Sequence, residues 1–150
     1  DQAIADLIAR IGARVGLEAI TRARPADSHI PEKTATTLAA AWSERATDWP
    51  RAPRARPLAL FRPEPIRTEE IPDIPARFTW RGRTLETHTA LGPERIAPEW
   101  WLDDPDWRSG VRDYWRVTTG DGTMLWLYYA HGGAAPGGMG AGWLAPGEFG

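Results

Sequence analysis

The stretch Asp113–Ala130, which reads DYWRVTTGDGTMLWLYYA, decides the fold class. Its two halves, Asp113–Thr118 and Met124–Ala130, are rich in the aromatic and β-branched residues that favour strands. Between them stands Thr119-Gly120-Asp121-Gly122, whose glycines and aspartate supply the backbone conformations that a tight hairpin turn needs. The stretch therefore predicts two antiparallel strands joined by a short turn.

A second hairpin is predicted upstream, in Arg77–Thr89, which reads RFTWRGRTLETHT. Arg81-Gly82 stands where a tight turn would pair Arg77–Trp80 with Arg83–Thr89.

The rest of the second half adds two more strands, predicted at Pro57–Phe61 and at Gly142–Phe149. The glycine-rich stretch 132–142 before the last strand is predicted to be mobile. Seven of the nine tryptophans lie from Trp80 onward, so the dense core is expected in this half of the chain.

The first fifty residues follow a different pattern. Apolar residues recur at helical spacing in Gln2–Val15, and Gly16 stands where a helix commonly ends. Leu17–Arg22 alternates weakly and predicts a short strand. Thr34–Ala46 predicts a short helix, mainly because Ala39–Trp42 has good helix propensity.

A stiff connector follows at Trp49–Pro57, where prolines alternate with arginines. The sequence therefore predicts an α+β chain in three parts. An N-terminal helical segment spans 1–49, and a Pro/Arg-rich connector with a short strand spans 50–76. An antiparallel β module, a small sheet or barrel with a Trp-rich core, spans 77–150.

Composition excludes several classes of protein. There is no cysteine, which excludes disulfides, thiol nucleophiles and thiolate metal sites. The net charge of −2 argues against a generally basic nucleic-acid coat, and no apolar run approaches the length of a membrane span. No secretory signal opens the chain. These features predict a cytoplasmic bacterial protein, and the Asp at position 1 suggests a piece of a longer one.

Catalytic constellations are not apparent. His29, His88 and His131 lie far apart, and Asp103-Asp104 with Asp106 does not have the spacing of a calcium loop. The stretch 132–138 has no phosphate-loop pattern, because no Lys-Ser/Thr pair follows its glycines. We therefore expect no enzyme activity, metal site or cofactor in this chain.

Two groups of residues remain as candidate binding sites. The first is Leu91–Trp107, LGPERIAPEWWLDDPDW, whose three indoles must either enter a core or meet a partner. The second lies on the upstream hairpin and comprises Arg77, Trp80, Arg81 and Arg83. Rings and arginines on a sheet face are typical of single-stranded DNA binding. Strand alternation, however, predicts that Phe78 and Trp80 point into the core while the arginines point outward.

Three runs in the second half carry a family resemblance: GPERI at 92–96, EWW at 99–101 and RDYWRV at 112–117. SHIPE at 28–32 and PLALFRPEPI at 57–66 add to it. Together they resemble the C-terminal region of ImuB proteins, which are bacterial relatives of the Y-family DNA polymerases. The resemblance covers essentially the whole chain.

The resemblance implies a non-catalytic adaptor. ImuB organises a mutasome of the SOS response, which carries out translesion synthesis with ImuA, a RecA-like protein, and an error-prone C-family DNA polymerase. The region resembled lies beyond the polymerase-like core and is implicated in protein contacts. ImuB proteins also bind the sliding clamp through a Gln-led motif that usually precedes this region. Gln2–Leu7 matches that motif poorly, so no clamp contact is assigned to it.

This interpretation places partner contacts in the first candidate group, at Glu94, Arg95, Trp100, Trp101 and Trp107. Ile96 and one of Trp100 and Trp101 are expected to anchor the segment to the β core, while the other of these two indoles contacts a partner. The alternative is a β module that contacts single-stranded DNA weakly through Arg77, Trp80, Arg81 and Arg83.

Overall fold

The computed structural model of the protein describes residues 2–133 and 140–150. The chain forms two compact units, Asp1–Arg54 and Ala55–Gly150. Residues 134–139, which belong to the glycine-rich stretch predicted to be mobile, lie outside the described residues.

The first unit begins with the predicted helix, α1, which spans Gln2–Val15. Gly16 ends it with a φ of 92°, and its N–H donates to the carbonyl of Gly12 at 2.8 Å. A left-handed residue at this position costs least when it is glycine, which explains the sequence signal. Two strands follow, β1 at Thr21–Pro25 and β2 at Ala35–Ala39, which pair antiparallel from Thr21↔Ala39 to Pro25↔Ala35.

Two predictions in this unit are wrong. Thr34–Ala46 is not a helix, because Ala35–Ala39 forms β2 and a single 3₁₀ turn occupies Ala40–Trp42. Its threonines favour an extended chain once β1 offers a hydrogen-bonding partner, and this tertiary pairing overrides the propensity of the alanines. The strand predicted at Leu17–Arg22 starts later, at Thr21, after a 3₁₀ turn.

The second unit is a curled antiparallel sheet, a half-barrel, and confirms the α+β class. Its strands are β3 (Ala59–Pro65), β4 (Arg77–Trp80), β5 (Arg83–Ile96), β6 (Arg112–Thr119), β7 (Met124–Ala130) and β8 (Gly142–Phe149). They lie in the order β3-β8-β7-β6-β5-β4. Arg67 and Thr79 exchange backbone hydrogen bonds of 2.9 Å, which join the chain after β3 to β4 at the other end of the order.

Both predicted hairpins are present. The turn after Trp80 places Arg81 and Gly82 at positive φ, and Trp80 pairs with Arg83. In the second hairpin, Val117 lies opposite Leu125.

The concave face of the sheet holds the main core. Its buried residues are Ile66, Phe78, Trp80, Leu85, Val117, Leu125, Leu127, Trp143 and Ala145. Phe78 and Trp80 point inward while the arginines beside them are exposed, as strand alternation predicts.

The opposite face of β6 and β7 is also buried. Tyr114 stacks on Trp126 with ring centroids 4.3 Å apart and contacts Tyr128 at 4.9 Å. Because both faces of β7 are covered, the run Leu125–Tyr128 is buried without interruption. The connection between β5 and β6 contributes to this second layer through Trp107, and it carries the candidate site.

Candidate protein-interaction site

The tryptophan loop, defined here as residues 97–111, connects β5 to β6. Its two ends are held together because Ile96, which is buried, pairs with Arg112. Inside the loop a short 3₁₀ turn spans Pro105–Trp107, and the Asp104 side chain accepts a 3.0 Å hydrogen bond from the N–H of Asp106. This is the capping arrangement that aspartate favours at the start of a helical turn. The loop therefore has a defined backbone path.

Arg112 anchors the loop from beneath. Its side chain is 3% exposed, and its guanidinium lies between the ring of Trp107, 3.9 Å from the centroid, and that of Tyr128, at 4.6 Å. A planar guanidinium that stacks on aromatic faces is stabilised by cation–π attraction, which helps to offset the loss of water around its charge.

The same guanidinium donates hydrogen bonds in three directions. Nε donates to Ser109 Oγ at 3.1 Å, Nη1 to the Tyr114 hydroxyl at 3.3 Å, and Nη2 to the carbonyl oxygen of Asp106. Arg112 belongs to the RDYWRV run that carries the family resemblance, but no role was predicted for it. Strand alternation could have predicted its orientation, because it places Arg112 on the same face of β6 as Tyr114.

Trp107 is the indole that anchors the loop. It is 5% exposed, whereas the expected anchor was Trp100 or Trp101. That expectation is corrected, because the ring of Trp107 is the one stacked on Arg112. Trp107 therefore supports the loop and is not part of its exposed surface. Glu99, at the start of the loop, is also buried.

Trp100 and Trp101 are exposed together at the tip of the loop. They are 87% and 59% exposed, and their rings meet edge to face with centroids 5.7 Å apart and planes at 86°. Leu102 beside them is about half exposed. A contiguous set of large apolar side chains in water, held on an anchored backbone, is typical of a binding surface.

The two charged residues predicted in this site, Glu94 and Arg95, lie on β5 and are both engaged in ion pairs. Glu94 is half-buried and accepts a 2.7 Å hydrogen bond from Arg56. Arg95 forms two 2.7 Å hydrogen bonds with Asp113, which His131 Nε2 also contacts at 2.8 Å. The hydrogen bond from Arg95 lowers the pKa of Asp113 to about 2. These residues stabilise the strands beside the loop.

The arginines of the alternative nucleic-acid site are also paired with carboxylates. Arg77 contacts Glu86 at 2.6 Å, and Arg83 contacts Asp121 at 2.5 Å.

Arg81 forms two 2.8 Å hydrogen bonds with Glu64, which lower the pKa of that carboxyl. Its guanidinium also lies 4.4 Å from the centroid of Trp80 and 4.8 Å from that of Phe61. Trp80 is 4% exposed, so its face is not available for a base to stack on.

Residues 2–133 and 140–150 lack two further kinds of feature. No cluster of histidine and carboxylate side chains in this part of the chain has an arrangement that could hold a metal ion. No helix in it has the length and apolar content needed to cross a membrane.

Comparison with known proteins identifies the family. A family model described as a domain of unknown function, DUF6504, matches residues 52–145. Protein ImuB from two strains of Caulobacter vibrioides, NA1000 / CB15N and ATCC 19089 / CIP 103742 / CB 15, is 39% identical over 136 residues. That alignment covers 85% of this chain, which spans about 30% of the length of these relatives. No solved structure matches. The resemblance to ImuB is thus confirmed, and the chain belongs to the DUF6504 family.

Proposed function

We propose that this chain is a non-catalytic protein-interaction module of a translesion-synthesis mutasome, with the tip of the tryptophan loop as its contact surface. One observation carries the proposal: Trp100 and Trp101 are exposed side by side on a loop whose backbone is anchored by buried residues. Tryptophan is among the residues that most often contribute the binding energy of protein interfaces.

The anchoring of the loop supports a role in binding. Trp107, Arg112 and Tyr128 form a stack beneath it, so little conformational entropy remains to be lost when a partner docks. An apolar surface that needed no partner would be stabilised by turning one of the two indoles inward, as Trp107 is. The exposed pair therefore favours recognition over core packing.

Similarity to ImuB supports the choice of system and partners. In this proposal the module acts in the cytoplasm during SOS mutagenesis and links the polymerase-like part of an ImuB protein to ImuA and an error-prone C-family DNA polymerase. We assign no sliding-clamp contact to Gln2–Leu7, because these residues lie in α1.

Single-stranded DNA binding is not the function that the geometry favours. Arg77, Arg81 and Arg83 each face a carboxylate, and phosphate would have to displace it. Base stacking also needs an open ring face, which Trp80 does not offer.

A binding assay tests the proposal. We expect Trp100→Ala/Trp101→Ala to weaken binding to purified ImuA or to the polymerase by about 30-fold or more, because two central anchors are removed. Circular dichroism and the unfolding midpoint should stay unchanged, since both rings are already in water. The matched control is Trp42→Ala, which removes an exposed indole from the first unit and should bind as the unaltered protein does. Equal affinity of the double variant and the unaltered protein for both partners would contradict the proposal.

A further inference from the structure

We propose that the partner receives Trp100 and Trp101 in an apolar pocket whose rim carries lysine or arginine side chains. This inference rests on the proposed function, since it assumes that the tip of the tryptophan loop is the contact surface. It adds the chemistry of the surface that receives the loop.

The tip of the tryptophan loop carries a net negative charge. The nine residues Trp100–Arg108, WWLDDPDWR, contain three aspartates and one arginine, so their formal charge is −2. Only Leu102 separates the two exposed indoles from the first aspartate. Apolar rings and negative charge are therefore presented by the same short segment.

Two of these three carboxylates are exposed to solvent. The side chain of Asp103 is 83% exposed, and both its oxygens lie 3.3 Å from Arg108 in a solvent-exposed pair. Such a pair is screened by water and leaves most of the field of the carboxylate in place. Asp106 is exposed, and among the residues that the structure describes none pairs with its carboxylate. Asp104 is used internally, as the cap of the 3₁₀ turn.

Four carboxylates elsewhere in the half-barrel face arginines at 2.5 to 2.8 Å, in the pairs Glu64–Arg81, Glu86–Arg77, Asp113–Arg95 and Asp121–Arg83. Their negative charge is compensated by these close contacts, whereas Asp103 and Asp106 beside the exposed indoles have no contact as close within the described part of the chain. Interfaces commonly combine an aromatic centre with a charged rim, and the rim selects a partner of opposite sign.

The two exposed indoles form a pair that is not flat. Two rings with planes at 86° present perpendicular faces, so a flat platform can cover one ring but not both. A concave pocket covers both, and positive side chains at its edge would meet Asp103 and Asp106. Nucleic acid does not fit this description, because its phosphates would be repelled by the same aspartates.

Association kinetics test the inference. The probes are purified ImuA and the purified C-family polymerase, measured against the unaltered chain and against Asp103→Asn/Asp106→Asn at several salt concentrations. The double variant should associate about three- to tenfold more slowly at low salt, while its dissociation rate changes by less than about twofold, because rim charges act mainly on the encounter. The difference should shrink as salt is raised.

The matched control is Glu69→Gln/Asp73→Asn, which removes two exposed carboxylates from the same unit away from the loop in sequence. It should associate at the rate of the unaltered protein. The cap of the loop is intact in both variants because Asp104 is unchanged, and near-ultraviolet circular dichroism checks this.

The outcomes separate this inference from the proposed function. Unchanged or faster association of Asp103→Asn/Asp106→Asn, together with loss of binding in Trp100→Ala/Trp101→Ala, would overturn the positive rim and leave the contact surface standing. If neither ImuA nor the polymerase binds the unaltered chain, both the inference and the proposed function are overturned. Full binding by Trp100→Ala/Trp101→Ala would also overturn both. Binding of a single-stranded oligonucleotide that strengthens when the aspartates are neutralised would overturn the inference in favour of a nucleic-acid ligand.

Discussion

Arg112 shows how a single buried cation organises a surface loop. A guanidinium removed from water is costly unless its charge and its donors are satisfied. Here two aromatic rings pack against it, and Asp106, Ser109 and Tyr114 accept its hydrogen bonds. The acceptor on Asp106 is a backbone carbonyl of the loop, so the side chain of one strand residue fixes the path of the segment above it.

Replacing Arg112 with leucine should destabilise the protein. Removal of the guanidinium takes away the donor to two buried hydroxyl groups and to the part-buried carbonyl of Asp106, and we expect the free energy of unfolding to fall by about 3 kcal/mol. Urea denaturation followed by circular dichroism measures the change. Arg112→Lys should recover little of the loss, because an ammonium group cannot stack or donate as a planar fork does.

The control for this substitution is Arg83→Leu, which breaks an exposed pair with Asp121. This variant should lower the free energy of unfolding by less than about 1 kcal/mol. Similar losses in the two leucine variants would show that the buried position of Arg112 has no special role.

At the scale of elements, the tryptophan loop is held at its far end by close backbone packing. The N–H of His131, just after β7, donates to the carbonyl of Val111 at 3.0 Å. Gly110 has a φ of 75°, and a Cβ built on it would lie 2.6 Å from the carbonyl oxygen of Gly132. Both its conformation and the space around it therefore require glycine.

Gly110→Ala should lower the free energy of unfolding by about 1–3 kcal/mol, because the alanine must adopt a left-handed conformation and displace a neighbouring backbone. Gly120→Ala is the matched control, since Gly120 has no positive φ and no heavy atom within 4 Å of its built Cβ. It should be neutral or slightly stabilising. Urea midpoints of the two variants give the comparison, and an unaltered midpoint for Gly110→Ala would refute the close packing at this end of the loop.

Strand alternation and turn chemistry predicted much at this scale. Both hairpins, Gly142–Phe149 and Gln2–Val15 were found where the sequence placed them, although β5 continues to Ile96, beyond the predicted end at Thr89. The Thr34–Ala46 helix failed because its local propensity was weak and β1, a distant segment, supplied the pairing. The loop 97–111 has no periodicity, so the sequence did not show which of its indoles turns inward.

At the scale of the whole molecule, two compact units meet in sequence at Arg54 and Ala55. Residues 43–58 form no helix or strand and include exposed arginines. The division predicted from the sequence, with parts at 1–49, 50–76 and 77–150, stays a prediction. Its connector overlaps the junction of the two units.

Limited proteolysis tests this organisation. Trypsin should cut first after Arg51 or Arg54, because exposed segments without regular structure are cleaved before strands. Mass spectrometry should then find a lasting fragment that begins at Ala52 or Ala55. Arg51→Gln/Arg54→Gln should slow the first cut without altering the unfolding midpoint, whereas early cuts inside β4 to β8 would contradict a compact second unit.

The sequence by itself determined the family of this protein and most of its helix and strand positions. Apolar spacing, glycine at turns and alternation along strands act over a few residues, so they can be read without knowing the fold. The same local signals placed Phe78 and Trp80 in the core and their neighbouring arginines outside, and the runs at 92–96, 99–101 and 112–117 carried the resemblance to ImuB.

Only the tertiary structure decided which of the three indoles in the tryptophan loop is buried. Trp107 is buried because Arg112 and Tyr128, which lie on two other strands, form the stack that receives it. Among the residues that the structure describes, no such stack receives Trp100 or Trp101, and both rings are mostly exposed. The burial of a loop side chain depends on groups brought together from distant parts of the chain, and for that physical reason local sequence patterns could not assign it.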